Sequence, residues 1–174
     1  MSFSLYASTI PSALQMLGAL HALIEKAEAF CAEKGIDPAS IIGARLATDM
    51  HPFSYQVKSA CVHSLGAIEG VRRGTFSPDQ TTPPDSFAAL KARVAETRDA
   101  LAAIDPAEVD GFVGRDVSFV YGETQRPFTA ENFLLSFSQA HFYFHVTTAY
   151  ALLRAAGMPI GKRDYMGQLR IKEA

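Results

Sequence analysis

Apolar residues recur at steps of three and four along four stretches of the chain, and each stretch predicts an amphipathic helix. Leu14, Leu17, Leu20, Ile24, Ala27 and Cys31 place the first over residues 4–34. Pro11 is expected to bend or restart its opening turn, and Gly35 to stop it. Asp37-Pro38 has the form of an N-cap followed by proline at the first helical position, which predicts a short helix over 38–42. Val57, Ala60, Cys61, Ser64, Leu65, Ile68 and Val71 form the inner stripe of a second long helix over 52–73, opened by Pro52 and closed by Gly74. Phe87, Leu90, Val94, Leu101 and Ile104, with Thr97 filling one slot, mark a third over 86–104. Its other face, with Lys91, Arg93, Glu96, Arg98 and Asp99, is expected in solvent, and Asp105-Pro106 stops it. The fourth, over 129–157, is capped by Thr129, closed by Gly157 and apolar on nearly every side, as a helix buried all round would be.

The period changes to two in residues 116–128. Val117, Phe119 and Tyr121 alternate with Asp116, Ser118 and Val120, and Gly122-Glu123 suits a tight loop, so a small β-hairpin is expected, with its outgoing strand ending at Pro127. Residues 77–85 hold three prolines and read as a loop. Four amphipathic helices with a hairpin between the third and the fourth predict an all-α four-helix bundle. The tail after Pro159, with Gly161 and Gly167, reads as ordered coil that frays towards its end.

At 174 residues the chain suits one domain, 1–174, with a sizeable core. Net charge is −2 without a basic stripe, so nucleic acid is not expected as a partner. No uninterrupted run of eighteen apolar residues is present, so neither a spanning helix nor a membrane partner is expected. The first residues lack the basic segment and cleavage site of a signal peptide. Together with two lone cysteines, Cys31 and Cys61, expected as reduced and buried thiols, this points to the cytoplasm.

The chemistry concentrates on the fourth helix. His141 and His145 lie one turn apart, on the face that also carries Leu134, Phe137, Ser138, Thr148, Ala149 and Leu152. Inward-facing imidazoles suggest either metal ligands or a polar network bonded to Gln56, Tyr143 or a backbone carbonyl. A metal needs neutral imidazole nitrogens at about 2.0–2.1 Å and three or four ligands. With three, an open position would let water be acidified. His63 is on the second helix, but at 100° per residue it falls roughly 140° from the stripe centre, so exposure or a subunit contact is expected of it. His51, just before Pro52, is the leading third ligand. Asp49 and Gln56 lie near it to position water or substrate, and Asp116 and Glu123 on the hairpin are further oxygen donors. Phe128, Phe133, Phe137, Phe142, Tyr143, Phe144 and Tyr150 supply core and a helix–helix interface, or an aromatic-walled pocket. In the tail, Tyr165 either docks on the helices or lets Lys162 and Asp164 lie over the histidine site. Cys61 reads as inert packing. No Ser-His-Asp arrangement, G-x-S-x-G turn, P-loop or G-x-G-x-x-G is present.

SLYASTIP near the N-terminus, ARLATDM before Pro52, QVKSAC in helix two, FYFHVTTAYALLR in helix four and the closing GKRDYMG resemble, in order and spacing, the DUF1993 family, grouped with the DinB/YfiT-like metalloenzymes. The resemblance covers nearly the whole chain. It implies a DinB-like bundle, often dimeric, whose relatives commonly hold nickel or zinc on three histidines, one on the second helix and an H-x3-H pair on the fourth. His141 and His145 match that pair, although DUF1993 members usually carry asparagine where this chain has His141. Two readings are open. One is a divalent-metal-dependent hydrolase or transferase acting on a small molecule. The other is a non-catalytic homodimeric module with a polar histidine core, paired through helix four.

Overall fold

A computed structural model describes residues 4–172. The elements in order are α1 (Leu5–Lys34), α2 (Pro38–Ile42), α3 (Phe53–Cys61), a first π-helical turn (Val62–Gly66), α4 (Ala67–Arg73), β1 (Thr75–Phe76), α5 (Phe87–Ala102), α6 (Pro106–Asp110), β2 (Asp116–Tyr121), β3 (Thr124–Thr129), α7 (Ala130–Asn132), a second π-helical turn (Phe133–Ser138), α8 (Gln139–Ala155) and α9 (Lys162–Met166). The chain is mostly helical with a small three-stranded sheet. Two of the long helices are composite: 53–73 and 130–155 each run without a break through a widened π turn.

Side-chain caps explain where several helices begin. The oxygens of Ser4, Asp37, Ser86 and Asp105 accept from the N–H groups of Ala7, Ala39, Ala89 and Ala107, satisfying donors that have no partner inside the helix. The Asp105-Pro106 pair, read from sequence only as a stop, also starts α6 in the way Asp37-Pro38 starts α2. Pro52 is the N-cap residue of α3 and not its first helical position. Pro11 leaves α1 continuous.

The long helical segments pack in a ring: α1 on α5, α5 on α3, α3 on α8 and α8 on α1. One hydrophobic core fills it, and Leu17, Leu20, Leu23, Ile24, Phe53, Val57, Leu90, Val94, Val146 and Leu153 are fully enclosed. Each such aliphatic side chain contributes about 1.5–3 kcal/mol by burial. Among the described residues one helix, α1, is long and apolar enough to cross a membrane by length and composition. It is not an uninterrupted apolar run, and its Leu17, Leu20, Leu23 and Ile24 are built into the core.

The sheet has the order β1-β2-β3. β2 and β3 form an antiparallel hairpin in the register Val117↔Phe128 and Tyr121↔Thr124, turned at Gly122 with φ +56°. β3 runs past Pro127, which sits on its open edge, to Thr129. β1, which the sequence did not suggest, pairs parallel with β2 through Phe76↔Phe119. It follows α4 at once because Gly74 turns the chain at φ +73°. A Cβ on Gly70 would lie 2.9 Å from the Cβ of Phe76, so only glycine lets α4 approach β1 this closely.

The tail also departs from expectation. Lys162–Met166 forms a helical turn, α9, and not coil; Asp164 Oδ2 accepts from the N–H of Gly161 at 2.7 Å. The turn is tied to α1 by the Lys26–Asp164 ion pair and by Gln15, which donates to the Met166 carbonyl at 2.9 Å. Part of the fraying expected at the end of the tail, like the first three residues of the expected domain, lies outside the described residues.

The proline-containing loop 77–85 is fixed by Lys58, whose side chain is buried. Its Nζ donates to the carbonyls of Asp79 at 2.8 Å and Thr81 at 2.6 Å and stands 3.6 Å from the Asp79 carboxylate. A buried cation held by three oxygens is costly to leave half-paired. Lys58→Met keeps the stem and removes all three interactions. It is expected to destabilise the chain by roughly 1–3 kcal/mol and to hasten proteolysis inside the loop. Unchanged cleavage there in limited digestion would show that Lys58 does not hold the loop.

Candidate functional site

α3 is buried on almost every side, because it packs on both α5 and α8. Val57 and Cys61 serve the core, while Gln56, seven residues before His63, points the other way, towards α8. The first π turn begins just after Cys61 and contains His63. The second ends at Ser138, three residues before His141. A π turn inserts an extra residue and rotates the side chains beyond it around the helix axis. Here the two widened turns meet: His63 Nδ1 lies 3.4 Å from Ser138 Oγ.

Three imidazoles come together at this level. The His63 ring stacks on His141 with centroids 4.5 Å apart and planes 13° from parallel. His63 and His145 are 5.7 Å apart at 19°, and His141 and His145 are 6.4 Å apart. His141 donates its Nδ1–H to the Phe137 carbonyl at 2.8 Å. His145 donates its Nδ1–H to Gln56 Oε1 at 2.7 Å. The Gln56 amide is oriented for this because its Nε2 donates to the His51 carbonyl at 2.9 Å. Both rings are therefore held as the tautomer whose Nε2 lone pair is free. Fixing Nδ1–H on an oxygen is how metal-binding histidines are oriented.

Burial keeps His63 and His145 neutral. Desolvation, with smaller contributions from His141 and His145, pushes the His63 pKa down to about 3. Desolvation, with His141 and His51 adding to it, pushes His145 down to about 4. Neutral imidazole is the form that can bind a metal. One flank is an aromatic wall: Phe137 packs on His141 at 4.4 Å between centroids, and Phe76 on His63 at 5.4 Å. Phe119 and Phe133 close against Phe137. On its other side His63 helps line a cavity of about 30 Å³ with Ile10, Ala67, Leu134, Phe142 and Tyr143.

Each residue singled out from sequence has a definite place. His145 faces α3 at Gln56, and His141 faces the first π turn at His63. His63, expected to be exposed or at a subunit contact, is instead half-buried against both, and the physical reason is twofold. A helix buried on two sides has no single stripe from which to measure an angle, and the π turn breaks the 100° step. His51, expected as the third ligand, is exposed and stacks on Tyr55 at 3.8 Å. Tyr55 in turn meets His145 edge-on at 6.1 Å. Lying ahead of the helix, His51 hydrogen-bonds to the cluster through its carbonyl, which accepts from Gln56 Nε2. Asp49 is exposed in the connection before α3, and Asp116 and Glu123 are exposed on the hairpin. Tyr143 is half-buried against Phe142 and the small cavity.

The tail residues are not over the cluster. Lys162 is exposed, Asp164 pairs with Lys26, and Tyr165 shares a 2.9 Å hydrogen bond with Thr147 and packs on Tyr150. Cys31 and Cys61 are buried and free, and burial raises the thiol pKa of both. Helix four is not enclosed all round, since Phe144 is 54% exposed.

Among the described residues no three His, Cys, Asp or Glu side chains already converge at ligand distances. The rings are stacked and not pointed at one centre. Imidazoles that share an ion through nitrogens at about 2.1 Å have ring centres roughly 5 Å apart. The three centroid spacings, 4.5, 5.7 and 6.4 Å, bracket that figure. Two of the rings, His141 and His145, are tied through Nδ1–H, and burial keeps His63 and His145 neutral, the donor chemistry that a divalent ion requires.

The profile of the DUF1993 family, described as a domain of unknown function, matches residues 5–166. A solved structure, a DinB family member protein from Shewanella denitrificans at 1.83 Å resolution, is similar with a TM-score of 0.82. The two are 27% identical over 98% of this chain and 96% of that one. No curated protein matches. The chain belongs to the DUF1993 family.

Proposed function

We propose that this DUF1993 family member is a cytoplasmic four-helix-bundle protein that holds nickel or zinc through His63, His141 and His145. On this reading it is a hydrolase or transferase acting on a small molecule. The observation that carries the proposal is the pair of Nδ1–H anchors, on the Phe137 carbonyl and Gln56 Oε1, with the His63 imidazole stacked 4.5 Å from His141. A bound ion supplies Lewis acidity, polarising a carbonyl or phosphoryl group. Gln56 holds the His145 tautomer, Ser138 steadies His63, and Phe76 and Phe137 keep water from one flank. Elemental analysis of untagged protein, incubated with nickel and zinc and then desalted, tests this. About one ion per chain is expected, and less than about a tenth would defeat the proposal.

A second reading, a homodimer paired through helix four, is favoured by a different observation. Phe144 is 54% and Leu46 45% exposed, and both line one open groove with Ala140, Tyr143, Thr147 and Ala151. Exposed apolar patches of this kind mark association surfaces. Phe144→Glu is expected to shift a dimer to monomer at micromolar concentration, read by size exclusion with light scattering, with helical circular dichroism unchanged. A wild-type monomer at that concentration would remove this reading and leave the metal proposal standing.

A further inference from the structure

A groove of about 980 Å³ lies between α1, α5 and the tail, on helices other than the two that carry the histidine cluster. Among the described residues its charged lining is unbalanced: Lys26, Arg98, Arg163 and Arg170 face a single carboxylate, Asp164, which Lys26 already pairs. Arg170 is held by Ser12 Oγ at 3.0 Å. Arg98 is different. Its Nε is buried and has no hydrogen-bond partner among the described residues. Its guanidinium lies along the backbone of α1 at Gly18, where a Cβ would stand 3.6 Å from Nη2. The guanidinium is always charged and pairs with no carboxylate among the described residues, so its terminal nitrogens, which are not buried as Nε is, are left for an anion supplied from outside. The remaining lining is apolar: Leu14 and Leu23 on α1, and Leu169 and Ile171, which are 51% and 79% exposed.

We propose that this groove binds a small amphipathic carboxylate. The carboxylate sits end-on against the two terminal nitrogens of Arg98, with Arg163 and Arg170 at the rim, and the alkyl chain covers Leu169 and Ile171. Arginine matches a carboxylate with two parallel N–H donors, and the volume is that of an ordinary small-ligand site.

The test is calorimetric titration of the full chain with octanoate, octanol and inorganic phosphate. One saturable octanoate site is expected, with octanol and phosphate each at least roughly tenfold weaker, because neither supplies both the charge and the chain. Arg98→Gln is expected to weaken octanoate by roughly tenfold or more at unchanged melting temperature. If Arg98→Gln does not fold, Leu169→Asp, at an exposed position, is expected to produce a comparable loss. Equal affinity for octanol overturns the carboxylate, and equal affinity for phosphate overturns the chain. Wild-type affinity in Arg98→Gln, or in Leu169→Asp where it is the variant measured, overturns the site. No octanoate binding also overturns it, including where self-association lost in Arg98→Gln shows a second copy in the groove.

Discussion

His63→Ala is expected to lower bound nickel or zinc from about one ion per chain to below about a tenth, while His51→Ala leaves the content unchanged. The two variants separate the candidates for the third ligand. His51 stacks outside the helices on Tyr55, whereas His63 is packed against His141 and His145. Losing one of three imidazoles leaves two ligands on one helix face, too few to compete with buffer and water. His145→Ala is expected to behave like His63→Ala. Gln56→Leu is expected to cost about 10–100-fold in affinity, because it frees the Nδ1–H of His145 without removing a ligand. The order matters as much as the sizes. If His51→Ala empties the protein while His63→Ala stays loaded, the tri-histidine assignment is wrong.

How much of this was legible from sequence depended on whether a residue lies in regular helix. The stripe of α1, the Asp37-Pro38 start, the buried Thr97 slot on α5 and the turn at Gly122 are local features, fixed by periodicity, capping chemistry and a positive φ. The pairing of His145 with Gln56 was within reach because both lie in undistorted α-helix. His63 was not, because a five-residue π turn has no distinct composition: Val62–Gly66 reads as ordinary helix. The one available sign was the seven-residue step from Gln56 to His63, a polar row at helical spacing that makes sense only if α3 meets two neighbours. Lys58 was hidden for a related reason. A lysine on a helix reads as solvated until a distant loop is known to cover it, and only Asp79 and Thr81 reveal that it is. β1 is two residues long, and its pairing with Ser118 and Phe119 is set by the chain reversal at Gly74, beyond the reach of any alternation pattern.

In EDTA, folding stability is expected to fall by about 3 kcal/mol between pH 7 and pH 5. The folded pKa values of His63 and His145 are lowered to about 3 and about 4, from 6.5. Their neutral forms are favoured in the folded chain, so as pH drops through 6.5 the unfolded chain takes up two protons that the folded chain refuses. Stability is complete above pH 6.5, declines as pH falls, and stops declining through these groups once the folded sites protonate near pH 4 and 3. One pKa unit is worth about 1.36 kcal/mol. The full shifts would together exceed half the stability of a typical domain, about 5–15 kcal/mol, although both rings keep some exposure and the realised loss is smaller. The pH 5–7 window isolates histidine, because the Asp79, Glu108, Glu131 and Asp164 pKa values are lowered and these carboxylates titrate below it. His63→Phe keeps an aromatic ring against Phe76 and Phe137 and removes one of the two protons, so urea midpoints at pH 7 and 5 are expected to differ by about half as much in this variant. Equal wild-type midpoints at the two pH values would mean that the imidazoles are already hydrated, and the dry, neutral donor set on which the metal proposal stands would be absent.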